Sequence, residues 1–182
     1  MSSQEDLRQI ALAEFAAAGY TATSLQRIAE LAGLSKSSVL YHYSSKEHLL
    51  EAAIAPAIDR MEEIIASFGE SGLDDRSAFI EAFVDLLLEN RLAVNMFINQ
   101  GPSLLGVPVI DRANALIHRL AQFFAANTSS IEEKMRFGIA LGGAAYMLCT
   151  VQTLDLEVGP TDETRVALIT IMGDLLAPVP SR

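Results

Sequence analysis

Sulfur chemistry is nearly absent from this chain. A single cysteine, Cys149, among 182 residues means that no disulfide can form within it. That scarcity is what a reducing cytoplasm favours. Long apolar runs are missing too. The longest helix-like uncharged stretch, Phe137 to Leu154, includes Gly142, Gly143, Gln152 and two threonines, a poor composition for a membrane span. The first residues, Met1 to Asp6, lack the basic flank and apolar run of a signal peptide. A soluble, cytoplasmic protein with no membrane contact is expected.

Basic charge is also scarce. Thirteen lysines and arginines face 23 aspartates and glutamates, for a net charge of −10, which over the whole chain opposes phosphate binding. The deficit is uneven. Residues 1–50 hold four basic and five acidic side chains, and the rest hold nine and eighteen, so two parts with different partners are expected. Enzyme signatures are missing: there is no G-x-S-x-G, P-loop, G-x-G-x-x-G or H-E-x-x-H. His42, His48 and His118 have no carboxylate spacing of a metal site. Cys149, amid apolar neighbours, reads as a buried hydrophobe and not a nucleophile. No catalytic residue, metal or cofactor is expected.

What is present is helical rhythm. In residues 49–68 the apolar positions are Leu49, Leu50, Ala53, Ile54, Ala57, Ile58, Met61, Ile64, Ile65 and Phe68, recurring every three or four residues. Similar recurrences run through Leu7 to Phe15, Phe79 to Leu87, Ile110 to Phe124 and Val166 to Leu176. No alternating β-branched run is bounded by turn pairs, so the fold class is all-α. Gly19 and Gly33 end short helices; Gly69–Asp75 and Gly101 to Pro108 read as loops; Gly159-Pro160 precedes the last helix. Pro56 falls inside the 46–68 helix, about 35 Å long, and predicts a kink there.

Residues 24–43, SLQRIAELAGLSKSSVLYHY, carry the sharpest signal. Leu25, Ile28, Ala29 and Ala32 mark the inner face of a short helix that Ser24 is placed to cap. Gly33-Leu34-Ser35 makes a tight turn in which Gly33 can take positive φ. The next helix, Lys36–Tyr43, offers Lys36, Ser37, Ser38, Tyr41 and His42 outward, with Val39 and Leu40 as anchors. Two helices joined this way, the second rich in short polar donors, suit a DNA major groove or a plain helical corner.

Ala18-Gly19-Tyr20, Thr23-Ser24-Leu25, Ile28-Ala29, Ala32-Gly33-Leu34-Ser35, Lys36, Tyr41-His42-Tyr43, Ser45-Lys46-Glu47 and Leu49-Leu50 follow one another with the spacing of a known pattern. Over these first 55 or so residues the chain resembles the TetR family of bacterial transcriptional regulators. Two positions depart from it: Ser37 where many members have Gly, and Leu40 where many have Tyr, a candidate phosphate contact. The resemblance implies a three-helix DNA-binding domain at 1–46, with its helix-turn-helix at 24–43, and a helical ligand-binding and dimerisation domain at 47–182. It implies phosphate contacts at Thr23, Ser24, Tyr41, His42 and Lys46, and base reading at Lys36, Ser37 and Ser38.

Large, soft side chains with scattered polar groups suit a small-molecule pocket between helices, here Phe79, Phe83, Met96, Phe97, Gln100, Phe123 and Tyr146, although each also reads as core. No counter-charge stands among them, so the ligand expected is small, neutral and mostly apolar. Glu81, Asp85 and Glu89 read as a solvated face. Gly138 and Gly142 share a helix face where backbones can approach closely. By resemblance, 130–155 and 161–176 form a homodimer interface, with Gly138, Gly142, Ala145, Ile169 and Met172 at it. The combined expectation is a ligand-responsive repressor on a palindromic, double-stranded operator. The alternative is a helical small-molecule or partner-binding module that no longer reads DNA.

Overall fold

The computed structural model describes residues 4–71, 76–128, 130–150 and 161–178. Among these the structure is helical, with no strand. The helices are α1 Gln4–Ala18, α2 Leu25–Leu31, α3 Lys36–His42, α4 Lys46–Ser71, α5 Arg76–Glu89, α6 Arg91–Gln100, α7 Pro108–Ala126, α8 Ile131–Thr150 and α9 Thr161–Leu175. A 3₁₀ turn, Gly101–Leu104, joins α6 to α7, and Pro108 opens α7, where its missing N–H costs no helical bond. Gly69 lies within α4, which runs to Ser71, so the expected loop does not begin at residue 69. A helix already packed along one face tolerates one glycine near its end. The expected break at Gly159-Pro160 lies outside the described residues.

The chain forms two compact units, Met1–Ile58 with Leu92–Ala113, and Asp59–Arg91 with Asn114–Arg182. Compactness thus groups residues 47–58 and 92–113 with the first three helices, across the boundary expected after residue 46.

In the first unit, α1 buries Leu7, Ala11, Leu12 and Phe15, and α2 packs against both α1 and α3. Leu49, Leu50, Ile54 and Ile58 on α4 and Met96 on α6 are also buried. Pro56 is exposed and α4 continues through it.

In the second unit, α5 packs on α8 and α9, which also meet each other. Its core contains a ring cluster: Phe79 stacks on Phe83 at 5.9 Å, Phe124 lies 5.4 Å from Phe79 and Phe123, and Phe137 stacks on Phe124 at 4.2 Å. The last carbonyls of α9 receive arginine donors: Arg76 Nη1 donates to Leu176 O at 2.6 Å and Arg136 Nη1 to Leu175 O at 3.5 Å. Cys149 is buried, and burial pushes its thiol up to about 11. It is inert as a nucleophile at neutral pH.

The acidic face of α5 is not simply solvated, as had been expected. Arg165 of α9 donates through Nε to Asp85 Oδ1 at 2.6 Å and through Nη2 to Asp85 Oδ2 at 2.9 Å, with Glu81 3.9 Å away. The Arg165 hydrogen bond holds the Asp85 carboxyl below its ordinary value. Its contribution to stability is therefore complete above about pH 4 and lost as pH falls through the lowered value. The pair is substantially exposed, so Asp85→Asn should cost at most about 1 kcal/mol at pH 7 and less near pH 3. Denaturant titrations of both proteins at the two pH values check this; a gap that widens toward acid contradicts it.

Candidate nucleic-acid interface

The helix-turn-helix is built by bonds local in sequence. Ser24 accepts the Arg27 N–H at 3.1 Å and caps α2, and Ser35 accepts the Ser38 N–H at 3.0 Å and caps α3. Between them Gly33, at φ +67°, closes a Schellman turn: Leu34 N–H donates to Ala29 O at 2.8 Å and Gly33 N–H to Glu30 O at 3.1 Å. An L side chain at residue 33 is strained by that φ, although nothing occupies the space it would enter. Ile28, Ala29 and Val39, each fully buried, anchor α2 and α3, and α2 packs on both α1 and α3.

Those anchors leave one side of α3 bare. Lys36, Ser37, Tyr41 and His42 are exposed, Tyr41 at 86%. Ser38 is half-buried and its hydroxyl shares a hydrogen bond with Ser35 Oγ at 2.8 Å. The Tyr41 and His42 rings meet edge to face at 5.3 Å, and His42 Nδ1 lies 3.2 Å from Gln4 Nε2. Tyr43 is buried, with its hydroxyl donating to Gln4 O at 3.3 Å.

Three expected positions differ. Leu40 is not an anchor: it is 40% exposed, because one step along the helix from fully buried Val39 turns the side chain by about 100°. Its departure from the TetR pattern was the only sign of this in the sequence. Thr23 does not face outward. It is buried, and its hydroxyl donates to Gly19 O at 2.8 Å. Lys46 is half-buried and its ammonium is already engaged, donating to Tyr20 O and Thr23 O, each at 2.9 Å, and sitting 4.3 Å from the Tyr20 ring centre.

The expected ligand residues fall in both units. Met96, fully buried, Phe97 and Gln100 belong to the first; Phe79, Phe83, Phe123 and Tyr146 belong to the second. The three phenylalanines of the second unit belong to the ring cluster, but Tyr146 is 55% exposed on α8. Gln100 has both ends of its amide bonded to backbone groups, donating to Phe15 O and accepting from Tyr20 N–H, each at 2.7 Å.

On α8, Ile131, Met135, Ile139 and Tyr146 are exposed along one stripe with Gly138 and Gly142, and α9 exposes Val166 and Ile171. Among the described residues, a Cβ built at Gly138, Gly142 or Gly143 would meet nothing within 4 Å. Ala145 and Ile169 are half-buried. Met172 is buried inside the protomer, so it is not part of this open face; its neighbour Ile171 points out instead.

Residues 7–53 match the family described as bacterial regulatory proteins, tetR family. Among curated proteins, the HTH-type transcriptional regulator RutR of Escherichia coli strain K12 is 37% identical over 79 residues, 43% of this chain and 36% of that protein. The match thus spans about a third of the length of its curated relatives. Two solved structures share the fold over nearly the whole chain. One is a member of the TetR transcriptional regulator family from Streptomyces coelicolor A3, with TM-score 0.68, 20% identity, and 96% and 91% of the two chains covered. The other is a TetR-family transcriptional regulator from Bordetella parapertussis 12822, with TM-score 0.69, 16% identity, and 94% of each chain covered.

Proposed function

We propose that this chain is a transcriptional repressor of the TetR family, a reading supported by the match of residues 7–53 to that family. It binds a palindromic operator as a homodimer and is released by a small, mostly apolar molecule. The observation that carries this reading is α3. Its buried Val39 and capped start hold Lys36, Ser37 and Tyr41 outward at fixed spacing. A lysine there can donate to guanine O6 or N7, and the exposed Leu40 and Tyr41 can meet thymine methyl groups. Ser38 is proposed with Lys36 and Ser37 for base reading, and Ser24 and His42 support the same face through phosphate contacts. Thr23 acts only by shaping the turn.

The uncovered apolar face of α8 and α9 supports the homodimer, because such a face normally meets a partner. Gly138, Gly142, Ala145, Ile169 and Ile171 are the residues proposed at it. Phe79, Phe83 and Phe123 of the ring cluster are the apolar side chains proposed to receive the ligand. Release requires that the ligand bind the DNA-free form more tightly; a tenfold loss of operator affinity needs about 1.4 kcal/mol of such preference. Pro56, which leaves the Ala52 carbonyl without its helical donor, is where α4 bends most easily.

The test is titration of the purified protein with DNA from upstream of its own gene. Affinity should fall as salt rises, with a shallow slope set by few phosphate contacts. Lys36→Ala should relax base preference at one position of the operator by about 1–3 kcal/mol. A wild-type protein that prefers no upstream fragment over random DNA at moderate salt overturns the regulator and leaves the small-molecule or partner-binding module.

A further inference from the structure

We propose that Gln100, outside the matched residues 7–53, is a positioning residue for DNA reading, its side-chain amide completing the end of α1 and bracing the turn from which α2 starts. The proposal rests on the DNA-binding function above.

The two glycine-capped helices of this unit end differently. At Gly33 the turn is self-sufficient, since Leu34 N–H returns to Ala29 O. At Gly19, φ +91°, only the Gly19 N–H returns to the helix, to Phe15 O at 3.1 Å. That is the single-bond cap, which leaves the next N–H, that of Tyr20, without a helical acceptor. Gln100 supplies one. Its Oε1 accepts the Tyr20 N–H and its Nε2 donates to Phe15 O, so one amide replaces what a full Schellman turn would have provided.

The brace continues into the reading helices. Lys46, the first residue of α4, grips the turn through Tyr20 O and Thr23 O. Thr23 ties back to Gly19 O through both its N–H and its hydroxyl. The residue after Thr23 is Ser24, the cap of α2, and α2 carries α3. Tyr20 is thus held from α6 on its N–H and from α4 on its carbonyl. Gln100 itself is fixed as the last residue of α6, before buried Gly101.

The chemistry demands both an acceptor and a donor at residue 100. Leucine has neither. A carboxylate accepts from Tyr20 N–H but sets a second oxygen against Phe15 O, whereas a protonated carboxyl donates there as glutamine does. Wild type, Gln100→Leu and Gln100→Glu are titrated with the native upstream fragment at pH 7.5 and pH 5.5. Gln100→Leu should bind about tenfold more weakly than wild type at both pH values, given two lost hydrogen bonds. Gln100→Glu should show that loss at pH 7.5 and regain part of it, relative to wild type, at pH 5.5, because a carboxyl set against Phe15 O holds its proton more tightly than a free glutamate. That recovery separates positioning from mere packing, because the variant side chain is the same at both pH values but for one proton.

Equal affinity of Gln100→Leu and wild type overturns the proposal, as does a Gln100→Glu deficit that ignores pH. Amide exchange over residues 19–24 judges the brace without DNA: it should quicken in Gln100→Leu, and unchanged protection refutes it. If the wild-type protein itself prefers no upstream fragment, the regulator reading falls, and the positioning role with it.

Discussion

Gly142→Leu is expected to yield a folded protomer that no longer dimerises. The reason lies in the empty space at that position. A Cβ there meets nothing beyond its own helix within 4 Å among the described residues, so leucine has room there and fills no core gap. In an exposed helix interior the change from glycine even favours the helix, by about 0.8–1 kcal/mol. Any loss of assembly therefore arises from what lies opposite the stripe of Ile131, Met135, Ile139 and Tyr146. If two α8 helices approach closely there, a leucine holds them apart. Light scattering should give about 19.6 kDa in place of twice that mass, with helical content unchanged. Binding to the palindrome should fall on the order of a hundredfold, because two half-sites no longer share one binding event. A folded Gly142→Leu dimer removes Gly142 from the interface, and a wild-type monomer removes the interface altogether.

Phe124→Ala addresses the ring cluster of the second unit and distinguishes a closed core from a wall open to ligand. Phe124 is 5% exposed and touches three other rings, those of Phe79, Phe123 and Phe137. If the surroundings are closed, truncation removes the transfer free energy of the ring and leaves a cavity. The cost should then be about 3–5 kcal/mol. Against a total stability of about 5–15 kcal/mol, that loss brings the protein close to unfolding at room temperature. Urea denaturation should show a much lower midpoint with little change in slope. A cost under 1 kcal/mol would mean that the cluster already lies open on one side, as a wall of the proposed ligand site does.

The helix-turn-helix was legible because its determinants are neighbours in sequence. Ser24 caps a residue three ahead, Ser35 does the same, and Gly33 lets two backbone bonds close within six residues. Each contact costs little chain entropy, so the residue types alone specify it. The helical class was legible for a similar reason, since periodicity of apolar residues is a local property.

Which face each helix presents, and which distant groups meet, came only with tertiary packing. Val39 and Leu40 are adjacent and both apolar, yet one is fully buried and the other exposed; Met172 and Ile171 divide the same way. The pattern permits either rotation, and the helix packed opposite selects one. Asp85 and Arg165, like Tyr20 and Gln100, lie 80 residues apart in the chain. No spacing rule joins them. Glu81, Asp85 and Glu89 read as a solvated face until α9 brought an arginine alongside, and Gln100 read as one more polar group near a pocket until its amide was seen on the end of α1. The sequence by itself determined the elements and their caps. Side-chain partners across helices were decided by packing, because a hydrogen bond or ion pair between distant residues exists only after the backbone has brought them together.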